Sequence, residues 1–166
     1  MTEKILLING ISPYLYITAV LLTPQKAWGK AFMIYLIIFL GQLIFTTIVS
    51  VTGRNKLLLA KITMINKLIQ IPYYVVFFIF SFGTVVFGMS LMGIGLLLLP
   101  VLVALDFGVF PSTMIPQEIC TIKLKANRHI TTGKFILYLI GNGVYVVDIV
   151  LSVMIFKKYR LSSTTR

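Results

Sequence analysis

Apolar residues occur in long blocks along this chain, and the polar residues inside the blocks recur at helical spacing. Residues 31 to 52, AFMIYLIIFLGQLIFTTIVSVT, carry no charge and are closed by Gly53, Arg54 and Asn55. About 20 helical residues cross the roughly 30 Å hydrocarbon layer, so this block predicts a membrane span. Residues 5 to 23 form a weaker block, because Asn9, Gly10 and Pro13 disfavour an unbroken helix. They predict a kinked span or an interfacial segment. Lys4 ahead of an apolar stretch also suits a signal peptide, but no small-residue cleavage site precedes Pro24, Gln25 and Lys26, which assigns the block to the mature chain.

From 72 to 111 runs an apolar stretch in which Asp106 is the lone charge. As one helix its forty residues would measure about 60 Å, twice the hydrocarbon thickness. A turn within GMSLMGIG, residues 88 to 95, is therefore expected, giving spans of about 72–90 and 93–111. Pro72 suits a helix start and Pro100 a kink. Residues 135 to 156, FILYLIGNGVYVVDIVLSVMIF, predict the last span, with Asp148 its one charge.

Two stretches read differently. Over residues 56 to 70, KLLLAKITMINKLIQ, a stripe of Lys56, Ala60, Thr63, Lys67 and Gln70 opposes one of Leu58, Ile62, Ile65, Leu68 and Ile69. This predicts an amphipathic helix lying on the membrane surface, with Lys56, Lys61 and Lys67 among the headgroups and Lys61 snorkelling from within the apolar arc. Residues 112 to 134 predict the longest polar connection, and the tail after residue 160 is expected to be disordered. Trp28 is placed as an interfacial anchor. The expected fold is all-α: an integral membrane helical bundle of four to five transmembrane helices with one interfacial amphipathic helix, a single domain over residues 1 to 166.

Composition agrees with that environment. Hydrophobic residues make up 58% of the chain and charged residues only 11%, against about 25% in ordinary soluble domains; the mean hydropathy is +1.00. A net charge of +11 would suggest nucleic acid in a soluble protein. Here the basic residues lie between apolar blocks and the aromatics mostly inside them, so the expected partner is a bilayer with anionic headgroups and not nucleic acid. With five crossings, nine Lys and Arg fall on the side of the N-terminus and six on the other, which leaves the orientation open. The single cysteine, Cys120, allows no internal disulfide. Cys120, Glu118 and His129 lack the spacing of a metal site or a nucleophile pair and read as solvated loop residues; neither metal nor cofactor is expected.

The polar residues within the blocks carry the candidate chemistry. Tyr138, Asn142, Tyr145, Asp148 and Ser152 share one helical face, as do Tyr35, Gln42, Thr46 and Ser50, and as do Asn9, Ser12, Tyr16 and Thr23. Hydrocarbon offers no hydrogen bonds, so such faces should turn towards other helices. A carboxylate at mid-membrane costs about 2.5 to 3.5 kcal/mol, which places Asp148 inside the bundle. No Lys or Arg shares its helix at that depth, and its expected partners are Gln42, Thr46 or Asn142. The candidate binding residues are thus Asp148, Asn142, Tyr145, Gln42 and Thr46, with Asp148 either exchanging a proton or cation or contacting a polar partner. An aspartyl dyad with Asp106 is excluded, because helix geometry sets the two about 13 Å apart in depth where a dyad needs roughly 3 Å. Asp106 is expected near the membrane edge, reaching water or Lys123, Lys125 or Arg128. Gly141 and Gly143 are read as sites of close helix packing. No catalytic residues are assigned and no enzyme activity is expected.

The order of KLIQIPYY, LDFGVF, TTGKF and YVVDIVLSVMIFKK over residues 60 to 160 resembles small multi-spanning membrane proteins of unknown function from Gram-positive bacteria. That resemblance implies a bacterial plasma-membrane, multi-pass location and a small helical bundle. The expected function is that of an accessory, regulatory or immunity-type partner of another membrane component, working through packing faces. The alternative is a small oligomeric carrier or ion-translocating protein using Asp148.

Overall fold

Among the described residues seven α-helices form from the apolar blocks and their flanks. The computed structural model describes residues 2–90 and 99–164. A 3-10 turn at Thr2–Leu7 leads into α1 (Ile8–Leu22), and a second at Gln25–Ala27 leads into α2 (Trp28–Thr52). Then follow α3 (Lys56–Ile69), α4 (Ile71–Ser90), α5 (Leu99–Ala126), α6 (Thr132–Gly141) and α7 (Tyr145–Thr164). The fold is all-helical, with no strand among the described residues. Among the described residues two segments are long and apolar enough to cross a membrane, Gly29–Thr52 and Ile71–Gly88. The expected turn at residues 91–95 and the side chains of Trp28, Asp106 and Tyr145 lie outside the described residues.

α1 stays helical through Pro13 because the carbonyl that proline leaves free finds other donors. Pro13 cannot donate to Asn9 O; Ser12 Oγ (3.1 Å) and Gln70 Nε2 (2.9 Å) donate to it instead. The same device carries α5 past Pro116, where Asn9 Nδ2 donates to Ser112 O at 3.1 Å. Residues 112 to 126 are consequently helix, where a polar connection was expected, and Cys120 is buried within it. Only 127 to 131 form the loop, entered through Arg128 with φ 57° and closed by His129 N to Leu124 O at 3.0 Å.

The final apolar block is not one helix. Backbone bonds shorten to the 3-10 pattern at Gly143 N to Ile140 O and Val144 N to Gly141 O, both 3.1 Å, and α6 ends where two glycines of low helix propensity flank Asn142. In a straight helix Gly141 and Leu151 would stand about 15 Å apart. A methyl group on Gly141 would instead lie 2.5 Å from Leu151 Cδ1 and 3.1 Å from Val147 Cγ1. The chain therefore folds back, with α6 packed on α5 and α7 on α3. The single span expected over 135 to 156 is replaced by a helical hairpin. α7 then continues to Thr164, where a disordered tail was expected.

α3 is amphipathic, but its polar stripe faces inward. Ala60, Thr63, Lys67 and Gln70 are buried together with Leu59, Ile62 and Asn66, while Leu68 of the apolar stripe is exposed. Lys67, expected at the membrane surface, is fully buried; Lys56 and Lys61 are exposed. The first turn of the chain, α1, α5 and α7 all pack around α3, and Gly10 allows α1 so close that an added methyl would meet Asn66 Cα at 3.3 Å.

The same inversion holds across the molecule. Among the described residues sixteen polar or charged side chains are buried against fourteen hydrophobic ones, while thirty-six large hydrophobic residues are exposed. Water-soluble domains distribute the two classes the other way.

Basic residues collect at one end. Lys123 Nζ donates to Ser50 O (2.7 Å) and Gly53 O (3.0 Å), capping the carbonyls at the end of α2. Lys56 Nζ reaches Asn127 Oδ1 at 3.0 Å, Lys125 Nζ reaches Thr132 Oγ1 at 2.6 Å, and Tyr159 OH reaches Cys120 O at 2.8 Å. The ends of α2, α5 and α7 and the starts of α3 and α6 are thereby joined. Because α6 and α7 fold back, the basic residues of 54–56, 123–134 and 157–160 share this end, and Lys26 and Lys30 lie at the other.

Candidate functional site

Two polar clusters line the interior. The first lies between α1 and α2. Asn9 Nδ2 donates to Thr46 Oγ1 at 3.0 Å, and Asn9 Oδ1 accepts from Gln42 Nε2 at 2.9 Å. Gln42 Nε2 also meets Ser12 Oγ at 3.0 Å, and its Oε1 accepts from Tyr16. Gln42 and Thr46, expected as partners of Asp148, belong to this cluster instead. Gln70 joins it to α4 and α5, its Oε1 accepting from Tyr74 OH at 2.8 Å and Thr113 Oγ1 at 3.2 Å.

The second cluster is ionic. Lys67 Nζ donates to Asp148 Oδ2, and both side chains are wholly excluded from the surface. Counting 1.5 Å per residue from Lys56 to Lys67, and from Tyr159 back to Asp148, sets the pair about 16 Å in from the basic end. Antiparallel α3 and α7 thus bring the two to one depth. Asn142, at the α6 break, lies about 15 Å in by the same count from Thr132. Phe110 shields the ammonium from one side, with Nζ 5.0 Å from its ring centroid.

Gln117 of α5 ties the break to the pair. Its Nε2 donates to Asn142 Oδ1 at 2.6 Å and to the Asp148 backbone carbonyl at 3.1 Å. A backbone carbonyl only accepts, so the Gln117 amide nitrogen must face it; that in turn points Asn142 Oδ1 at Gln117 and leaves Asn142 Nδ2 facing elsewhere. Glu118 approaches that amide and lies within electrostatic range of both Asp148 and Lys67. Among the described residues, five buried side-chain atoms without a hydrogen-bond partner sit here: Gln117 Oε1, Glu118 Oε1 and Oε2, Asn142 Nδ2 and Asp148 Oδ1. Buried polar groups are ordinarily paired.

The structure therefore joins Asp148 and Asn142 in one site, places Gln42 and Thr46 in another, and adds Lys67, Gln117 and Glu118, which the sequence reading set on the surface or in a loop. A signal for Lys67 did exist: it shares a stripe with Thr63 and Gln70, and the inward-facing rule applied to the other polar stripes applies to this one too. No group of His, Cys, Asp and Glu suited to a metal ion occurs among the described residues. No protein-family model, curated relative or solved structure matches the chain.

Proposed function

We propose that this is a small multi-pass membrane protein that moves a proton or small cation, or a solute coupled to one, through the Lys67–Asp148 centre at the tip of the α6–α7 hairpin. Residence in lipid is supported by the inverted distribution of polar and apolar residues and by the two long apolar helices. Gathering of the basic residues at one end supports placing that end at the cytoplasmic, anionic face of a bacterial plasma membrane, with the N-terminus, residues 123–134 and the end of α7 on the same side.

The single observation that carries the reading is the helix break beside a buried ion pair. Broken helices near mid-membrane expose backbone and side-chain dipoles where carriers hold their coupling ions, and ionisable residues at that depth are costly to retain without a use. Tests use vesicles containing the full chain, a trapped pH-sensitive dye and an imposed pH gradient, with Na+ and K+ supplied in turn. Wild-type vesicles should relax the gradient faster than those carrying Asp148→Asn; equal rates with both ions would defeat the proposal.

A second reading, a packing partner of another membrane component, is favoured by α4. Its Val75, Phe78, Ile79 and Phe82 are exposed, and an apolar groove of about 500 Å³ opens between α4 and Val146 and Ile149 of α7. Extraction in gentle detergent followed by mass spectrometry separates the two, a stoichiometric partner supporting this second reading and a homo-oligomer the first.

A further inference from the structure

We infer that Glu118 of α5 is the third ionisable member of the Lys67–Asp148 centre, and that the centre holds one exchangeable proton. The inference deepens the proposed function and rests on it for its purpose, naming the proton as the coupling ion.

Charge counting is the first argument. One ammonium, Lys67, faces two carboxyls, Asp148 and Glu118, and those two helices, α7 and α5, supply the charged groups that act on it. An uncompensated charge in a buried site is far more costly than a bound proton. With Lys67 bonded directly to Asp148, the negative charge left over belongs to Glu118, whose two oxygens are both buried with only the Asn142 amide approaching as a neutral donor.

The orphaned atoms give the second. Asn142 Nδ2, turned away from Gln117, is a free donor for one Glu118 oxygen. The other oxygen gains a bond only by becoming a donor itself, and a protonated carboxyl does so. Free acceptors stand in the same centre, Asp148 Oδ1 and Gln117 Oε1. A proton on Glu118 thus neutralises the centre and supplies the missing donor together. On release, the Glu118 O–H bond breaks, the proton passes to water, and the centre goes from neutral to one net negative charge. Because the carboxyls interact, the proton is a property of the set, its position depending on where the Lys67 ammonium lies.

Infrared spectra of the full chain in lipid at neutral pH, in H2O and in D2O, read this directly. Wild type should show a protonated-carboxyl C=O band that shifts in D2O and fades as the pH is raised. Glu118→Gln, close in size and shape, should lose that band, because Lys67 and Asp148 then balance. Lys67→Met should strengthen it, because two carboxyls then lack a counter-charge. Superimposable wild-type and Glu118→Gln spectra in this region would overturn the inference, as would a wild-type spectrum with no such band. A band that behaves as described in a protein that relaxes no gradient would leave the proton centre standing and remove the transport reading; flux without the band would do the reverse.

Discussion

Lys67 and Asp148, 81 residues apart, form an ion pair with no exposed surface. Removing one partner of such a pair leaves a buried charge uncompensated and typically costs about 3–5 kcal/mol, whereas replacing both by apolar groups of similar volume is often neutral. Lys67→Met alone should lower stability by about that amount, and Lys67→Met with Asp148→Leu by less than either change alone. Unfolding of the four proteins in one detergent measures this; additive losses would show that the two residues do not act as a pair.

Gly141 is tested by a single methyl. Gly→Ala inside a helix gains up to about 1 kcal/mol when space is free, but here the new carbon would sit 2.5 Å from Leu151 Cδ1. Overpacking of this kind costs about 1–3 kcal/mol. Gly141→Ala should therefore be net destabilising, and Leu151→Ala in the same chain should relieve part of the loss. A stabilised Gly141→Ala would mean that α6 and α7 do not fold together as described.

Asn9 serves three helices. Replacing it by Leu removes the donor to Ser112 O, left free by Pro116, unpairs Thr46 and takes one of the two acceptors from Gln42 Nε2. Each buried polar group left without a partner costs about 1–3 kcal/mol, so a loss of roughly 3 kcal/mol or more is expected from thermal unfolding. Substitution of Thr18, exposed and bonded only to its own helix, is the control and should shift the transition little.

Acid sensitivity should arise in part at the first turn of the chain. Its own backbone N–H and that of Asn55 hold the Glu3 carboxyl below the usual carboxylate range. A group whose folded value is depressed contributes stability that is complete above the unfolded value and disappears as the pH falls through the folded one. Wild type should lose this contribution below the ordinary carboxylate range, and Glu3→Gln should show a flatter acid limb in a plot of melting temperature against pH.

Orientation is open to labelling. With Cys120 replaced by Ser, single cysteines at Arg54, Arg128 and Arg160 should react with an impermeant maleimide from one side of the membrane, and a cysteine at Lys26 from the other. Reaction of positions 54 and 160 from opposite sides would restore the last block as a full crossing.

Helical character was open to inspection in the sequence because block length and period are local properties: Gly53 to Asn55 stops α2 and Pro72 lies in the first turn of α4. The extent of α5 was not, since its passage through Pro116 depends on a donor from Asn9, more than a hundred residues away. Nor was the bend at Asn142: Gly141 and Gly143 weaken a helix wherever they stand, and only the close fit of Leu151 against Gly141 turns that weakness into a reversal.

α3 marks the boundary most sharply. Its sequence alone determined an amphipathic helix with Lys56 and Lys67 on one stripe, because side-chain direction follows from 3.6 residues per turn whatever the surroundings. Which way that stripe faces depends on what surrounds the helix, and the helices that enclose it come from the two ends of the chain. Tertiary structure decided that Lys67 looks inward, since only there does Asp148 stand at the same depth to compensate an ammonium removed from water.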